Sequence, residues 1–478
     1  MKCFPANFVV LSLASALCAQ TGKPVASYKD IRFPPQNPLH VPEPVRFQLA
    51  NGMNVMLVED HELPTVNMEA MIRAGGRWVP AGKVGLAGIA ATVMRTGGSA
   101  SRNGDRLDRE LDRLGASVEI YGGEDVTTAN VFCLKEDIDK TLPALVDLLQ
   151  HPAFPAEKIE LAKIEQRSGI ERRNDDPQSI AFREFGRVIY GKDSVYGRLA
   201  EKATINAITR DDLIAFHKQY FRPEAVILGV WGDFSAPAMR TKIEQAFAGW
   251  SGSGTWQRPA VPAVDTAAKA RSGVYLVNRD DVNQSTVIVG RLATRLDHPD
   301  HFALTVMNGI LGEGFASRLF SQVRSEQALA YAVGSMWADE LEFPGTFEAM
   351  GGTKSSTTVK LAGAIRRELD RLAQGPVTDD EMVRAKDSIL KGMAFEFDNT
   401  GKIVTRLMAY EYHGYPRDFL QRYEEGVRKV TKEDVERAAR NYLKSDQMAI
   451  LVLGKESDFE APLTGLGKVT RLDITIPK

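Results

Sequence analysis

Two stretches of this 478-residue chain repeat each other at a fixed distance, and that repeat constrains the fold more than any other feature. Thr209-Arg210-Asp211-Asp212-Leu213 opens a helical pattern that reaches Tyr220 and gives way to the apolar run Ala225-Val226-Ile227-Leu228-Gly229-Val230-Trp231-Gly232. Thr431-Lys432-Glu433-Asp434-Val435 opens another that reaches Tyr442 and gives way to Met448-Ala449-Ile450-Leu451-Val452-Leu453-Gly454. Residue 431 stands against 209, 442 against 220 and 454 against 232, an unbroken offset of 222. Each helix opens with a Thr three residues before an Asp, a capping-box-like start in which the hydroxyl accepts a first-turn N–H. A cap, an aromatic and a strand-ending Gly that agree at one offset imply a tandem duplication. Each copy, of about 220 residues, is long enough to bury its own core.

The order of patterns supports two halves of one α+β type, each a sheet packed with helices. In the first half, Met53 to Glu59 and Thr65 to Ile72 alternate as strands, helices fit 84–96 and 105–114, a strand pair fits 117–121 and 127–134, and helical patterns run from about 137 to 190. After Ser251-Gly252-Ser253-Gly254 the order recurs. Strands fit 273–279 and 285–292, helices fit 300–311 and 315–325, a strand pair fits 329–338 and 345–350, and a long helical stretch fits 355–443. The expected domains are therefore 45–250 and 269–478, joined by a linker over 251–268.

Residues 1–19 read as a secretory signal: Lys2 supplies the charged end, Phe8 to Ala14 the short apolar run, and small residues follow. Leu17 before Cys18 argues against a lipoprotein, because lipoprotein signals have a small residue there. Residues 20–44, rich in Pro, read as an extended arm. No later run is long and apolar enough to span a membrane. A periplasmic or secreted location is expected. Cys133 is then the one cysteine certain to remain, so no internal disulfide is expected, and its alternating apolar strand makes it a core residue. Lys and Arg number 60 against 62 Asp and Glu, which gives no basic excess for nucleic acid or an anionic surface.

Three stretches resemble the pitrilysin/insulinase-like zinc peptidases: Phe47 to Val55, with Asn51-Gly52 at its turn; Gly85-Leu86-Ala87 leading a small-residue helix toward Arg95-Thr96-Gly97-Gly98; and Leu311-Gly312-Glu313-Gly314, followed by Ser317-Arg318-Leu319-Phe320, Arg324 and Leu329-Ala330-Tyr331. The resemblance implies two homologous halves closing like a clam around a peptide. In active members the second stretch carries His-x-x-Glu-His, two imidazoles on one helical face with a carboxylate base between them, and a further Glu ligand lies roughly 75–80 residues on.

Those positions here read Gly88, Ala91, Thr92 and Gly169. Gly88 and Thr92 stand where the histidines should be and Ala91 where the base should be. Gly169, 77 residues beyond Thr92 and eight before Pro177, stands at the third ligand position. None offers the lone pairs a cation needs, so no zinc or other metal is expected in this chain. Arg324 and Tyr331 match the pair that active members use from the far half, for holding the substrate and for donating to the oxyanion. On residue type alone, Arg324 is a helix-surface charge paired to Glu326 or Glu340.

The resemblance thus implies the non-catalytic, substrate-binding subunit of a heterodimeric zinc metallopeptidase, inactive alone, with zinc and His-x-x-Glu-His on a homologous partner chain. Two alternatives remain: a pseudopeptidase that binds peptides or plays a structural part, and a single-chain peptidase with other ligands. Asp297-His298-Pro299-Asp300-His301 reads as a helix start rather than a metal site. His61, His151, His217 and His413 have no ligand-spaced partners.

Overall fold

The structure, a computed structural model, describes residues 41–252, 254–265, 271–338 and 340–477. The signal segment and most of the arm lie outside them. Residues 41–478 form one unit.

Each half is a six-stranded sheet with helices. The first sheet has strands β1 (Val45–Gln48), β2 (Asn54–Glu59), β3 (Thr65–Ile72), β4 (Ser117–Gly122), β5 (Thr127–Leu134) and β6 (Val226–Gly232), in the order β1-β2-β6-β3-β5-β4. The second has β7 (Gly273–Asn278), β8 (Gln284–Leu292), β9 (Ala332–Trp337), β10 (Thr346–Lys354), β11 (Ala449–Gly454) and β12 (Val469–Arg471), in the order β12-β7-β11-β8-β10-β9. The repeated strands β6 and β11 hold the same place: each lies parallel to one neighbour and antiparallel to the other. Both repeated caps form. Thr209 Oγ1 accepts the Asp212 N–H at 3.3 Å and Thr431 Oγ1 accepts that of Asp434 at 3.2 Å, and each Asp reaches back to its Thr N–H.

One sheet position breaks the symmetry. The first outer strand, β1, is the hairpin partner of β2, whereas β12 comes from the C-terminal end of the chain and runs parallel to β7. The expected helix over 315–325 also differs. Residues 315–317 turn, the helical part begins at Arg318, and over Phe320–Glu326 it is wound widely enough that the Gln327 N–H reaches Gln322 O.

β6 and β11 are apolar at nearly every residue because both of their faces are covered. Leu228 and Val230 face the first half's own helices, while Ile227 packs against Val404, Met408 and Tyr412 of the Thr400–His413 helix, which belongs to the second half. Conversely, Ile450 and Val452 face the second half's core, while Leu451 and Leu453 meet Ile180, Phe185 and Ile189 of the Pro177–Tyr190 helix from the first half. Each half thus lends one helix to the other's sheet. Glycines permit the approach: a Cβ on Gly229 would run into Met408 and Val404, and one on Gly290 of β8 would stand 2.8 Å from Phe185 Cζ.

Phe185 is fully buried at this interface. Phe185→Ala is expected to destabilise the chain by about 3–5 kcal/mol, measured by urea denaturation. A loss below about 1 kcal/mol would mean that the lent helix contributes little to joining the halves.

Candidate functional site

The Leu86–Gly97 helix starts at Gly85, whose φ of 104° is in the left-handed region. Its Ile89, Ala90, Val93 and Met94 are buried in the first core, which turns Gly88 and Thr92 toward the partly exposed side. That side faces the Ala156–Arg172 helix. A Cβ on Gly88 would meet only Gln166 Nε2, at 3.9 Å, and a Cβ on Gly169 would meet nothing within 4 Å. Ala91 is buried against β4, its Cβ 3.1 Å from where a Cβ on Gly122 would stand. Gly88 and Thr92 therefore lie on a partly exposed face opposite Gln166, Gly169 is on the helix that carries Gln166 with open space beside it, and Ala91 is turned away into the packing against β4.

The neighbouring carboxylates are engaged elsewhere. Glu171 pairs with Lys202 at 2.9 Å, and Arg95 holds both Asp108 and Glu119. A metal held by imidazole and carboxylate does not fit these residues. What remains open is a bare helix face beside β4, which ends its sheet.

Arg324 and Tyr331 lie in the second half. The Arg324 guanidinium carbon sits 4.4 Å from the Phe320 ring centroid and 5.2 Å from that of Tyr331. Phe315 meets Phe320 edge-on at 5.0 Å. Ala328, at φ 50°, turns the chain between Arg324 and Tyr331. Tyr331 is 86% exposed and Phe315 80%. The expected ion pairs of Arg324 do not form among the described residues: Glu326 accepts a hydrogen bond from Gln322, and Glu340 bridges to Arg295 through the backbone. Rings hold Arg324 instead. Arg318 of the same stretch is structural, donating to both oxygens of Glu381 at 2.7 and 3.0 Å. No hydrogen bond, ion pair or ring contact among the described residues joins Arg324 or Tyr331 to the Gly88 face.

Between the halves lies a cleft of about 790 Å³, bounded by Asp176 and Phe182 of the first half and by the start of β8, the outer strand β9 and Gly312-Glu313-Gly314 of the second.

Sequence patterns did not reveal a charged cluster that crosses the halves. Asp125, Glu342 and His413 bring ligand-type atoms within 4.8 Å of one another. Glu342 is, however, already engaged by Arg73, whose side chain is almost wholly buried, and by Arg258 at 2.7 Å, with His413 Nδ1 at 3.2 Å. Arg73 also sits over the Tyr412 ring at 4.7 Å, and the Tyr412 hydroxyl donates to Asp125 O. Two guanidiniums oppose a cation here, so the cluster is an ion clasp. Burial alone would raise the Glu342 carboxyl, but the His413 hydrogen bond and the Arg73 and Arg258 charges outweigh it and hold the group below its ordinary value of 4.5. The other expectations on single residues are simpler. Cys133 is buried in β5, and burial raises its thiol to about 11. His298 accepts the Asp300 N–H at the start of the His301–Leu311 helix.

Residues 54–201 match the family profile described as Insulinase (Peptidase family M16), and residues 207–389 match Peptidase M16 inactive domain. Among curated relatives, an uncharacterized zinc protease of Streptomyces coelicolor is 24% identical over 375 residues, spanning 76% of this chain and 79% of its own length. One from Mycobacterium tuberculosis is 23% identical over 435 residues, 88% of this chain and 96% of its own. Among solved structures, a peptidase M16 inactive domain from Pseudomonas fluorescens superposes with a TM-score of 0.75 at 23% identity, over 86% of this chain and 98% of that one. A protease from Helicobacter pylori gives 0.75 at 19% identity, over 87% and 100%.

Two outcomes follow from this geometry. The purified chain should carry no stoichiometric zinc by elemental analysis, whereas Gly88→His, Thr92→His and Gly169→Glu combined should bind about one zinc, because open space exists at both glycines. Failure of the triple variant to bind zinc would show that the two helices no longer hold ligand geometry. Glu342 adds stability that is complete above its unfolded value of 4.5 and is lost as pH falls below it. Glu342→Gln should therefore cost about 3–5 kcal/mol at neutral pH by stranding Arg73, and should flatten the decline of Tm below pH 4.5. Parallel acid limbs in the two proteins would remove Glu342 from the clasp.

Proposed function

Since the chain belongs to the insulinase (M16) peptidase family, we propose that it is the non-catalytic, substrate-binding subunit of a heterodimeric zinc metallopeptidase, inactive alone. The observation that carries the proposal is an asymmetry. The metal-and-base positions Gly88, Ala91, Thr92 and Gly169 hold no ligand and no base, while Arg324 and Tyr331 stand at the surface of the other half. A residue needed only for packing is not normally left 86% exposed as Tyr331 is. A homologous chain with His-x-x-Glu-His supplies the zinc and the water-activating carboxylate in this division of labour.

This chain's own groups then act on the substrate. Tyr331 donates its hydroxyl proton in a hydrogen bond to the oxygen that gains charge as the scissile carbonyl becomes tetrahedral. Arg324, poised between two rings with no carboxylate partner among the described residues, grips a substrate carbonyl or carboxylate. β4 and β9 each end a sheet, so their outer backbone groups are available to an extended peptide. The N-terminal signal sets this work in the periplasm or outside the cell.

A second reading, a peptide-binding or structural pseudopeptidase, draws on the way Arg324 leans on its own Phe320 and Tyr331 rather than outward. Co-expression with a His-x-x-Glu-His homologue separates the two. The subunit reading expects peptide cleavage only in the mixture, with kcat falling about a hundredfold or more in Tyr331→Phe. A stable complex without cleavage would favour the pseudopeptidase, and unaltered turnover would remove Tyr331 from the chemistry.

A further inference from the structure

The second half contains an aromatic pocket that none of the groups above uses. It encloses about 650 Å³ between the His301–Leu311 helix, β9, the end of the Thr400–His413 helix and the segment after it. Tyr410, Tyr415 and Phe419 pack on one another with ring centroids 5.2, 5.1 and 4.5 Å apart. Tyr423 extends that wall, 6.0 Å from Phe419.

Apart from the tyrosines, the ionisable groups lining the pocket are Glu313, Glu396, Arg406 and His301. Arg406 is already ion-paired to Glu396. Glu313 is exposed at the edge of the pocket and has no hydrogen-bond or ion-pair partner among the described residues, and desolvation by the surrounding walls raises its carboxyl above the ordinary value. One carboxylate without an ion-pair partner among the described residues thus lines the same pocket as the aromatic wall, and a cation there would be drawn both to the ring faces and to the opposite charge. Glu313 and Ser335 also line the 790 Å³ cleft between the halves, so the pocket adjoins the cleft at these two residues. A planar guanidinium suits stacked rings better than a compact ammonium does.

We propose that this pocket is a side-chain subsite for an arginine guanidinium carried by a peptide in the cleft, with Glu313 as counter-charge and Tyr410, Tyr415 and Phe419 as the wall. That the cation arrives on a peptide rests on the peptidase-subunit reading. The preference for a cation rests on the pocket alone.

The test uses the purified full chain without a partner. It is titrated calorimetrically with a blocked pentapeptide bearing one central arginine among alanines, and with the same peptide bearing citrulline, which keeps the shape but loses the charge. The arginine peptide is expected to bind about tenfold tighter, and Glu313→Gln, at an exposed turn position, should abolish that advantage while leaving citrulline binding unchanged. Equal affinities for the two peptides, or an advantage that survives in Glu313→Gln, would overturn the subsite. Because no cleavage is measured, a co-expressed pair that fails to hydrolyse peptides would count against the subunit reading and leave this result standing.

Discussion

The exchange of helices between the halves is the constraint on which the rest of the molecule depends. Phe185 seats against Gly290 of the second sheet, and Met408 and Val404 seat against Gly229 of the first. Each sheet is thereby buried on two faces by helices from two different parts of the chain. Neither half completes its burial alone: removing the Thr400–His413 helix would expose Met56, Met71 and Ile227, and burying such a side chain is worth about 1.5–3 kcal/mol. Polar contacts sit at the rim of the same interface. Thr400 donates to Asp60 at 2.5 Å, Thr405 donates to Glu69 at 2.9 Å, and the Arg73–Glu342 pair closes the far end. Duplication thus produced one interlocked body from two copies.

This frame accounts for how Gly88 and Thr92 can be small residues without damage to the fold. The Leu86–Gly97 helix is held by Ile89, Ala90, Val93 and Met94, which face the core, and Gly88 and Thr92 are on the other side. Glycine in a helix interior costs about 1 kcal/mol relative to alanine, a penalty that two glycines on well-anchored helices can bear. Ala91 is different, because it is buried against Gly122 of β4. Its small size lets the helix lie close to the outermost strand.

Much of the architecture was legible because it depends on local pattern. The caps at Thr209 and Thr431, the alternation in Thr65–Ile72 and the doubly apolar strands β6 and β11 follow from periodicity and side-chain chemistry that a sequence displays directly. Helix exchange was not legible. Ile180, Phe185 and Ile189 form an ordinary amphipathic stripe, and nothing in a stripe says which sheet it covers. β12 was missed for a similar reason: three residues carry no periodicity, and their parallel partner β7 lies nearly 200 residues earlier. At the candidate site, the positions Gly88, Ala91, Thr92 and Gly169 are expectations that rest on spacing, which a sequence displays. The Glu342 clasp and the aromatic pocket could not be read from it, since their members come from segments with no common spacing.

The interlock also bears on where a peptide can enter. For the halves to swing apart, Phe185 and Met408 would have to leave fully buried seats and Arg73 would have to give up Glu342. The price of such an opening exceeds what a weakly bound peptide returns, because several buried side chains and a desolvated charge would meet water together. Movement within this chain is therefore a poor way to admit substrate. The surfaces that need no such disruption are the outer ones: the exposed Phe315 and Tyr331, the last strands β4 and β9, and the mouth of the cleft beside Glu313. A second chain approaching that side could enclose a peptide by association alone. In the proposed pair, opening and closing is then a matter of contact between chains, and the rigidity of this one keeps Arg324 and Tyr331 in place when the other arrives.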